Sequence, residues 1–98
     1  MRKSSKDKKD ITSDKINKAR KITQKALDIA INSISSEREK EAKEIIKMVE
    51  CYLSDSIHFQ KQGDLINAFG AIYYAHGWLD TGARLKIFNV SDDKLFTI

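Results

Sequence analysis

The sequence predicts an all-α protein: a three-helix bundle with up-down-up topology, whose third helix is apolar around nearly its whole circumference. The chain of 98 residues contains no proline and only four glycines, so little in it opposes long helices. Three segments repeat apolar residues at the spacing of a helix face, and no segment of useful length alternates as a half-buried strand would. At this length a single all-α domain is the expectation.

The first helix is predicted over Asp14–Ser33, with Ser13 as its N-cap. Its apolar residues fill one broad arc of the helical wheel and are Ile16, Ala19, Ile22, Ala26, Leu27, Ile29, Ala30 and Ile34. Lys18, Lys21 and Lys25 fall on the opposite side and are candidates for contact with phosphate groups. A solvated helix face is the alternative interpretation of the same lysines.

The second helix is predicted over Glu37–Gln62, and Ser36 with Glu39 has the spacing of a capping box at its start. Its apolar stripe consists of Ala42, Ile45, Val49, Tyr52, Leu53, Ser56 and Phe59. Gly63 is predicted to end this helix and Asp64 to cap the next one. The connection to the third helix is therefore expected to be a tight reversal.

The third helix, predicted over Leu65–Phe88, differs from the other two. It contains no charged residue from Leu65 to Leu79, and its apolar residues surround the helix axis. A helix with this pattern is buried on all sides, by its own domain or by another chain. Two amphipathic helices cover about two-thirds of its circumference, so we expect a further neighbour to cover the rest.

Three glycines interrupt the third helix, although each costs about 0.8–1 kcal/mol relative to alanine. Gly70 and Gly77 lie seven residues apart on nearly one line, where a missing side chain lets another backbone or ring approach. Gly82 lies on the packed arc of the helix. Three interpretations stay open: close contact with the first two helices, an interface with another chain formed with Tyr74 and Trp78, or a small-ligand cavity.

Positive charge is concentrated at the start of the chain. Residues 1–25 carry ten Lys/Arg against three Asp, whereas the remaining residues carry eight Lys/Arg against eleven Asp/Glu. We divide the chain into a flexible basic arm (1–12), a helical domain (13–90) and a C-terminal tail (91–98) that can dock over the third helix. With the three lysines, the arm could bind nucleic acid in a salt-sensitive way that ignores base sequence. No aromatic residue precedes position 52, so stacking on bases is not available there.

His76, Asp80 and Arg84 form a polar ladder along one side of the third helix, at the spacing i, i+4, i+8. An aspartate four residues before an arginine is the stabilising order for a helical ion pair. Tyr73 lies on the same side. A structural network, a general-base role for His76 and an anion site are the three interpretations of this ladder.

Other features argue against a metal, a cofactor or a membrane span. Cys51, Asp55 and His58 are neighbours on the second helix, but three side chains on a polar face imply no metal site. A single cysteine fits a reducing compartment, and no apolar run is long enough to cross a bilayer. We therefore predict a cytoplasmic protein without a metal or cofactor.

The stretch Tyr52–Phe88 contains five short motifs: Tyr-x-x-Asp, Lys-x-Gly-Asp, Ala-Phe, Tyr-Ala-x-Gly-Trp-Leu-Asp and Gly-x-Arg-Leu. Together with a phenylalanine before the second motif, they fall on Tyr52, Asp55, Phe59, Lys61, Gly63, Asp64, Ala68, Phe69, Tyr74, Ala75, Gly77, Trp78, Leu79, Asp80, Gly82, Arg84 and Leu85. In these motifs the chain resembles a short archaeal helical family, domain of unknown function 357. The resemblance implies an archaeal cytoplasmic protein and a small helical bundle over residues 14–88. It implies no activity.

The predicted function is that of a non-enzymatic protein-interaction module. We expect it to self-associate through the side of the third helix that carries Gly70, Tyr74, Gly77 and Trp78. One alternative is binding to a phosphate backbone through the basic arm and first helix. Another is a small-ligand or enzymatic site at the polar ladder, although no nucleotide-binding loop or nucleophile motif is present.

Overall fold

The structure is a computed structural model that describes residues 10–98, so most of the predicted basic arm lies outside the described residues. It contains three α-helices: α1 (Ser13–Ile31), α2 (Glu39–Lys61) and α3 (Leu65–Arg84). A single 3-10 turn, Ser36–Arg38, precedes α2. The three-helix, all-α prediction is confirmed, and α3 runs in the same direction as α1 and opposite to α2.

Two of the predicted helix starts are wrong in detail. Thr12, and not Ser13, caps α1, because the Thr12 hydroxyl accepts a hydrogen bond of 3.2 Å from the backbone N–H of Lys15. The predicted capping box is not formed: Ser36 lies in the 3-10 turn, and Arg38, which stands at the N-cap position of α2, makes no capping hydrogen bond with its side chain. The chain tightens into that turn through a 2.9 Å hydrogen bond from the Arg38 N–H to the Ser35 carbonyl.

The predicted connection between α2 and α3 is confirmed. Gly63 adopts a left-handed conformation with φ of 78°, which a glycine adopts without steric cost. The Asp64 carboxylate then accepts hydrogen bonds from the backbone N–H and side-chain amide of Asn67, at 3.2 and 2.7 Å. This cap satisfies one of the free N–H groups at the start of α3.

α3 ends at Arg84, four residues earlier than predicted. Lys86 takes the left-handed conformation with φ of 63° and donates its N–H to the Ala83 carbonyl, at 3.1 Å. Ile87 donates its N–H to the Gly82 carbonyl at 2.8 Å. These two bonds define a Schellman turn, which reverses the chain although no glycine stands at its left-handed position.

α3 packs against both of the other helices and supplies the centre of the core. Its buried residues all lie on one side and are Ala68, Ala71, Ile72, Ala75, Leu79, Gly82 and Ala83. α1 and α2 meet each other over a smaller area, where the Arg20 guanidinium donates a 3.0 Å hydrogen bond to the Ser56 hydroxyl and another hydrogen bond to Gln60. Partial burial lowers the pKa of Arg20.

The C-terminal segment, residues 85–98, packs against the end of the bundle. The side chains of Phe88 and Phe96 are 0% and 2% exposed, and both belong to the main core cluster. Phe88 also forms an isolated antiparallel bridge with Ile34 in the connection between α1 and α2. The C-terminal segment therefore packs along one flank of the C-terminal half of α3, where it contacts His76 and Asp80.

The further neighbour expected on α3 is not found among residues 10–98, which leave one side of the helix exposed. Ile66, Tyr73 and Tyr74 are 74%, 62% and 58% exposed. The physical reason is that α1 and α2 pack against the same half of α3, in a layer whose smallest dimension is 16 Å. Apolar composition predicted that α3 needs neighbours, and residues 10–98 supply them on one side of the helix.

Candidate interaction surface

The outer side of α3 forms a continuous exposed surface, which we call the open face. It consists of Ile66, Gly70, Tyr73, Tyr74, Gly77 and Thr81, all of which are exposed. Their spacing of three, four and seven residues places them on one side of the helix, over a length of about 22 Å. None of these side chains carries a charge. Trp78, the fourth predicted interface residue, is half-buried at the border of the open face with α2.

The glycines of α3 have two different environments. A Cβ atom placed on Gly70 or Gly77 would meet no atom of residues 10–98 within 4 Å. A Cβ atom on Gly82 would lie 2.6 Å from Phe88 Cδ2 and 3.3 Å from Ile45 Cδ1. Close contact inside the chain, the first interpretation of the glycines, therefore holds for Gly82 and is wrong for Gly70 and Gly77.

Aromatic rings border the open face and restrict one another. Tyr74 meets Tyr52 of α2 edge to face, with ring centroids 4.6 Å apart, and Tyr73 meets Phe69 in the same way at 4.8 Å. Desolvation, with smaller contributions from Tyr74 and from Asp55, raises the pKa of the Tyr52 phenol. Rings held in this way lose little conformational entropy when a partner binds.

Shallow grooves run along both borders of the open face. The groove beside α1 has a volume of about 310 Å³ and contains Ile22, Tyr73 and Gly77. The groove beside α2 has a similar volume of about 310 Å³ and contains Asp55, Gly70 and Tyr74. A third groove of about 340 Å³ connects them across Tyr73, Tyr74 and Gly77. The open face is thus flanked and crossed by shallow grooves and is not flat.

The polar ladder joins three parts of the chain through His76. Its Nδ1 lies 2.9 Å from the Thr23 hydroxyl of α1, and its Nε2 lies 2.7 Å from the carbonyl oxygen of Leu95. Because a carbonyl only accepts, Nε2 donates its proton there, and in the neutral ring Nδ1 accepts from Thr23. Asp80 Oδ1 accepts a 2.9 Å hydrogen bond from the Thr97 N–H and lies 3.9 Å from His76 Nε2.

This geometry favours the structural interpretation of the ladder. Both ring nitrogens of His76 are hydrogen-bonded, and the unprotonated Nδ1, the atom that a general base would use, faces the Thr23 hydroxyl of α1. Arg84 is exposed and, within residues 10–98, forms no ion pair with Asp80. Tyr73 lies on the open face and does not join the network. The sequence argument missed Thr23, although its position within the apolar arc of α1 signals a polar residue that needs a buried partner.

The remaining candidate residues lie apart from the open face or along its rim. Lys18, Lys21 and Lys25 are exposed on α1, so phosphate contact by these lysines stays a prediction. Cys51, Asp55 and His58 are exposed on α2, and in residues 10–98 no three side chains of His, Cys, Asp or Glu converge to hold a metal ion.

The fold and the open face define a class: a small all-α protein in which residues 10–98 leave one face of the third helix exposed. The chain belongs to the family described as "Protein of unknown function (DUF357)", whose sequence profile matches residues 13–88. The match covers all three helices and ends at Phe88. It confirms the resemblance found in the motifs. No curated protein and no solved structure matches the chain significantly. Among residues 10–98, no helix combines the length and the hydropathy that a bilayer crossing requires.

Proposed function

We propose that the protein is a non-enzymatic interaction module of the cytoplasm that self-associates through the open face of α3. The observation that carries the proposal is the row of six exposed, uncharged positions along one helix, three of which hold large side chains more than half exposed. Single exposed apolar residues are ordinary on protein surfaces, but a contiguous row of them marks a binding surface.

The two exposed glycines support close approach by a second backbone. Gly70 and Gly77 together forgo about 2 kcal/mol of helix propensity relative to alanine, a large share of the stability of a small domain. In the part of the chain that the structure describes, nothing lies where their side chains would be. A partner helix whose backbone rests on these two positions would recover that loss through van der Waals contact that alanine would obstruct.

A charge placed at the centre of the open face tests this proposal. We expect Gly77→Glu to weaken self-association at least about a hundredfold, because the carboxylate would be desolvated at the interface without a partner. Sedimentation equilibrium from low to high micromolar concentration measures the dissociation constant. Circular dichroism checks that the variant is still helical.

Ser54→Glu is the matched control, because Ser54 is exposed on α2 away from the open face. It adds the same charge to the protein and is expected to leave the dissociation constant unchanged. A wild-type protein that stays monomeric at high micromolar concentration contradicts the proposal. So does a folded Gly77→Glu variant that associates as the wild type does.

A further inference from the structure

We propose that the protein also binds the phosphate backbone of a nucleic acid, at a site on α1 centred on Arg20 with Asn17 and Lys21. The site contains no residue of the open face, so this activity goes beyond self-association. Its basis is a positive charge that residues 10–98 hold in place and do not neutralise.

The Arg20 guanidinium is fixed between α1 and α2 by neutral groups. Its Nε donates a 3.0 Å hydrogen bond to the Ser56 hydroxyl, and its Nη1 donates one of 3.2 Å to the side-chain oxygen of Asn17. Its Nη2 donates to the side-chain oxygen of Gln60. Ser56 is fully buried and donates its own proton to the Leu53 carbonyl at 2.7 Å. The guanidinium is therefore held in one orientation before a ligand binds.

The charge of Arg20 has no counter-charge in the described part of the chain. Arg20 is partly buried, and this burial lowers the pKa of its guanidinium, yet it forms no ion pair within residues 10–98. An arginine has five N–H donors, of which three are used here, so one donor on each terminal nitrogen remains for a ligand. A partly desolvated charge is stabilised most by an opposite charge, and hydrogen bonds between ionised groups are the strongest. The group that would complete the site is therefore an oxyanion.

A groove of about 380 Å³ gives a ligand access to this charge. The residues that line it within residues 10–98 are polar and none is acidic: Asn17, Arg20, Lys21 and Gln24. Asn17 and Lys21 also line a second groove of about 290 Å³, whose other residues are Asp14, Lys15 and Lys18. Asp28 accepts a 3.0 Å hydrogen bond from Gln24 and is not among the residues that line either groove. The two grooves together thus carry four basic side chains and one acidic side chain.

The extent of this positive surface favours a chain of phosphates over a single one. Lys18 and Lys21 are exposed, form no ion pair within residues 10–98, and lie about 4.5 Å apart along the axis of α1. Residues 1–12 carry five Lys/Arg against two Asp, so the positive charge continues in the sequence before α1. Successive cations of this kind neutralise successive phosphates of a nucleic acid and release its counterions. Within residues 10–98 no aromatic ring lines either groove, so the site is not expected to stack on bases.

Fluorescence anisotropy with a labelled DNA duplex of arbitrary sequence, over a series of salt concentrations, tests this site. We expect Arg20→Gln and Lys21→Gln each to weaken binding about fivefold and to reduce the slope of log K against log salt by about one, because each removes one phosphate contact. Lys21 forms no hydrogen bond or ion pair within residues 10–98, so Lys21→Gln tests the site even if Arg20→Gln does not fold. Lys47→Gln, at an exposed position of α2 that lines neither groove, removes the same charge and is expected to change little.

Three results would overturn the site. They are a wild-type protein that does not bind the duplex at low salt, a folded Lys21→Gln variant that binds as the wild type does, and a loss of affinity in Lys47→Gln as large as that in Lys21→Gln. The last result would mean that net charge, and not this site, determines binding.

Two further measurements separate this site from a single-phosphate site and from the open face. Inorganic phosphate, titrated while the amide resonances of α1 are followed by NMR, is expected to bind far more weakly than the duplex. Equal affinity at the same concentration of phosphate groups would overturn a nucleic acid as the ligand. In sedimentation equilibrium Lys21→Gln is expected to self-associate as the wild type does, so failure of duplex binding and failure of self-association are distinguishable.

Discussion

Replacing Phe88 by alanine is expected to lower the free energy of unfolding by about 3–5 kcal/mol. Phe88 is fully buried, and its ring fills the space that Gly82 leaves open on α3. Its backbone also pairs with Ile34, so the same residue holds the C-terminal segment to the connection between α1 and α2. Loss of the ring leaves a cavity that neither the helix backbone nor the bridge can close.

Urea denaturation at low micromolar concentration measures this loss. Leu85→Ala is the control, since Leu85 lies three residues earlier, has a side chain 55% exposed, and is expected to change stability by no more than about 0.5 kcal/mol. If Phe88→Ala costs less than about 1 kcal/mol, the C-terminal segment is not part of the core as described.

Alanine at Gly82 and alanine at Gly77 are expected to change stability in opposite directions. At Gly82 the new methyl group would lie 2.6 Å from Phe88 Cδ2, and the overpacking is expected to cost about 1–3 kcal/mol in spite of the better helix propensity. At Gly77 the methyl group meets no atom among the described residues, so the variant gains about 0.8–1 kcal/mol.

Chemical denaturation of both variants at a dilution where the protein is monomeric makes the comparison, because association adds its own stabilisation at higher concentration. Both variants replace glycine by alanine within α3, so both gain a similar amount of helix propensity. The difference between their free energies of unfolding therefore reports the packing at each position. Equal effects of the two variants, in either direction, would mean that the two glycines do not differ in environment.

Local features of the sequence predicted the helices well. The periodic apolar residues gave the three helices, and the Gly63 and Asp64 pair gave the reversal between α2 and α3, because each of these features acts within one or two turns. The early end of α3 was missed for a different reason. The left-handed position of the Schellman turn holds a lysine, so no glycine marks the end of the helix in the sequence. The turn is supported by the burial of Phe88, which depends on residues far away in the sequence.

The candidate surface was predicted only in part. The absence of charge from Leu65 to Leu79 indicates that α3 needs neighbours, and Gly70 and Gly77 indicate where a neighbour could come close. Which neighbour covers which side depends on how α1, α2 and the C-terminal segment share the circumference of α3. Composition does not contain that information. The hydrogen bond from His76 to the Leu95 carbonyl depends likewise on the fold of the C-terminal segment, which brings that carbonyl to the ring.

The central claim is that Gly70 and Gly77 make room for a second helix at the open face, and the double variant Gly70→Ala/Gly77→Ala tests it most directly. Sedimentation equilibrium of this variant beside the wild type is the measurement. We predict a dissociation constant at least about tenfold higher, because two methyl groups would hold the partner backbone away while leaving each monomer more stable. A dissociation constant equal to or lower than that of the wild type would show that nothing rests on these glycines, and would contradict the claim.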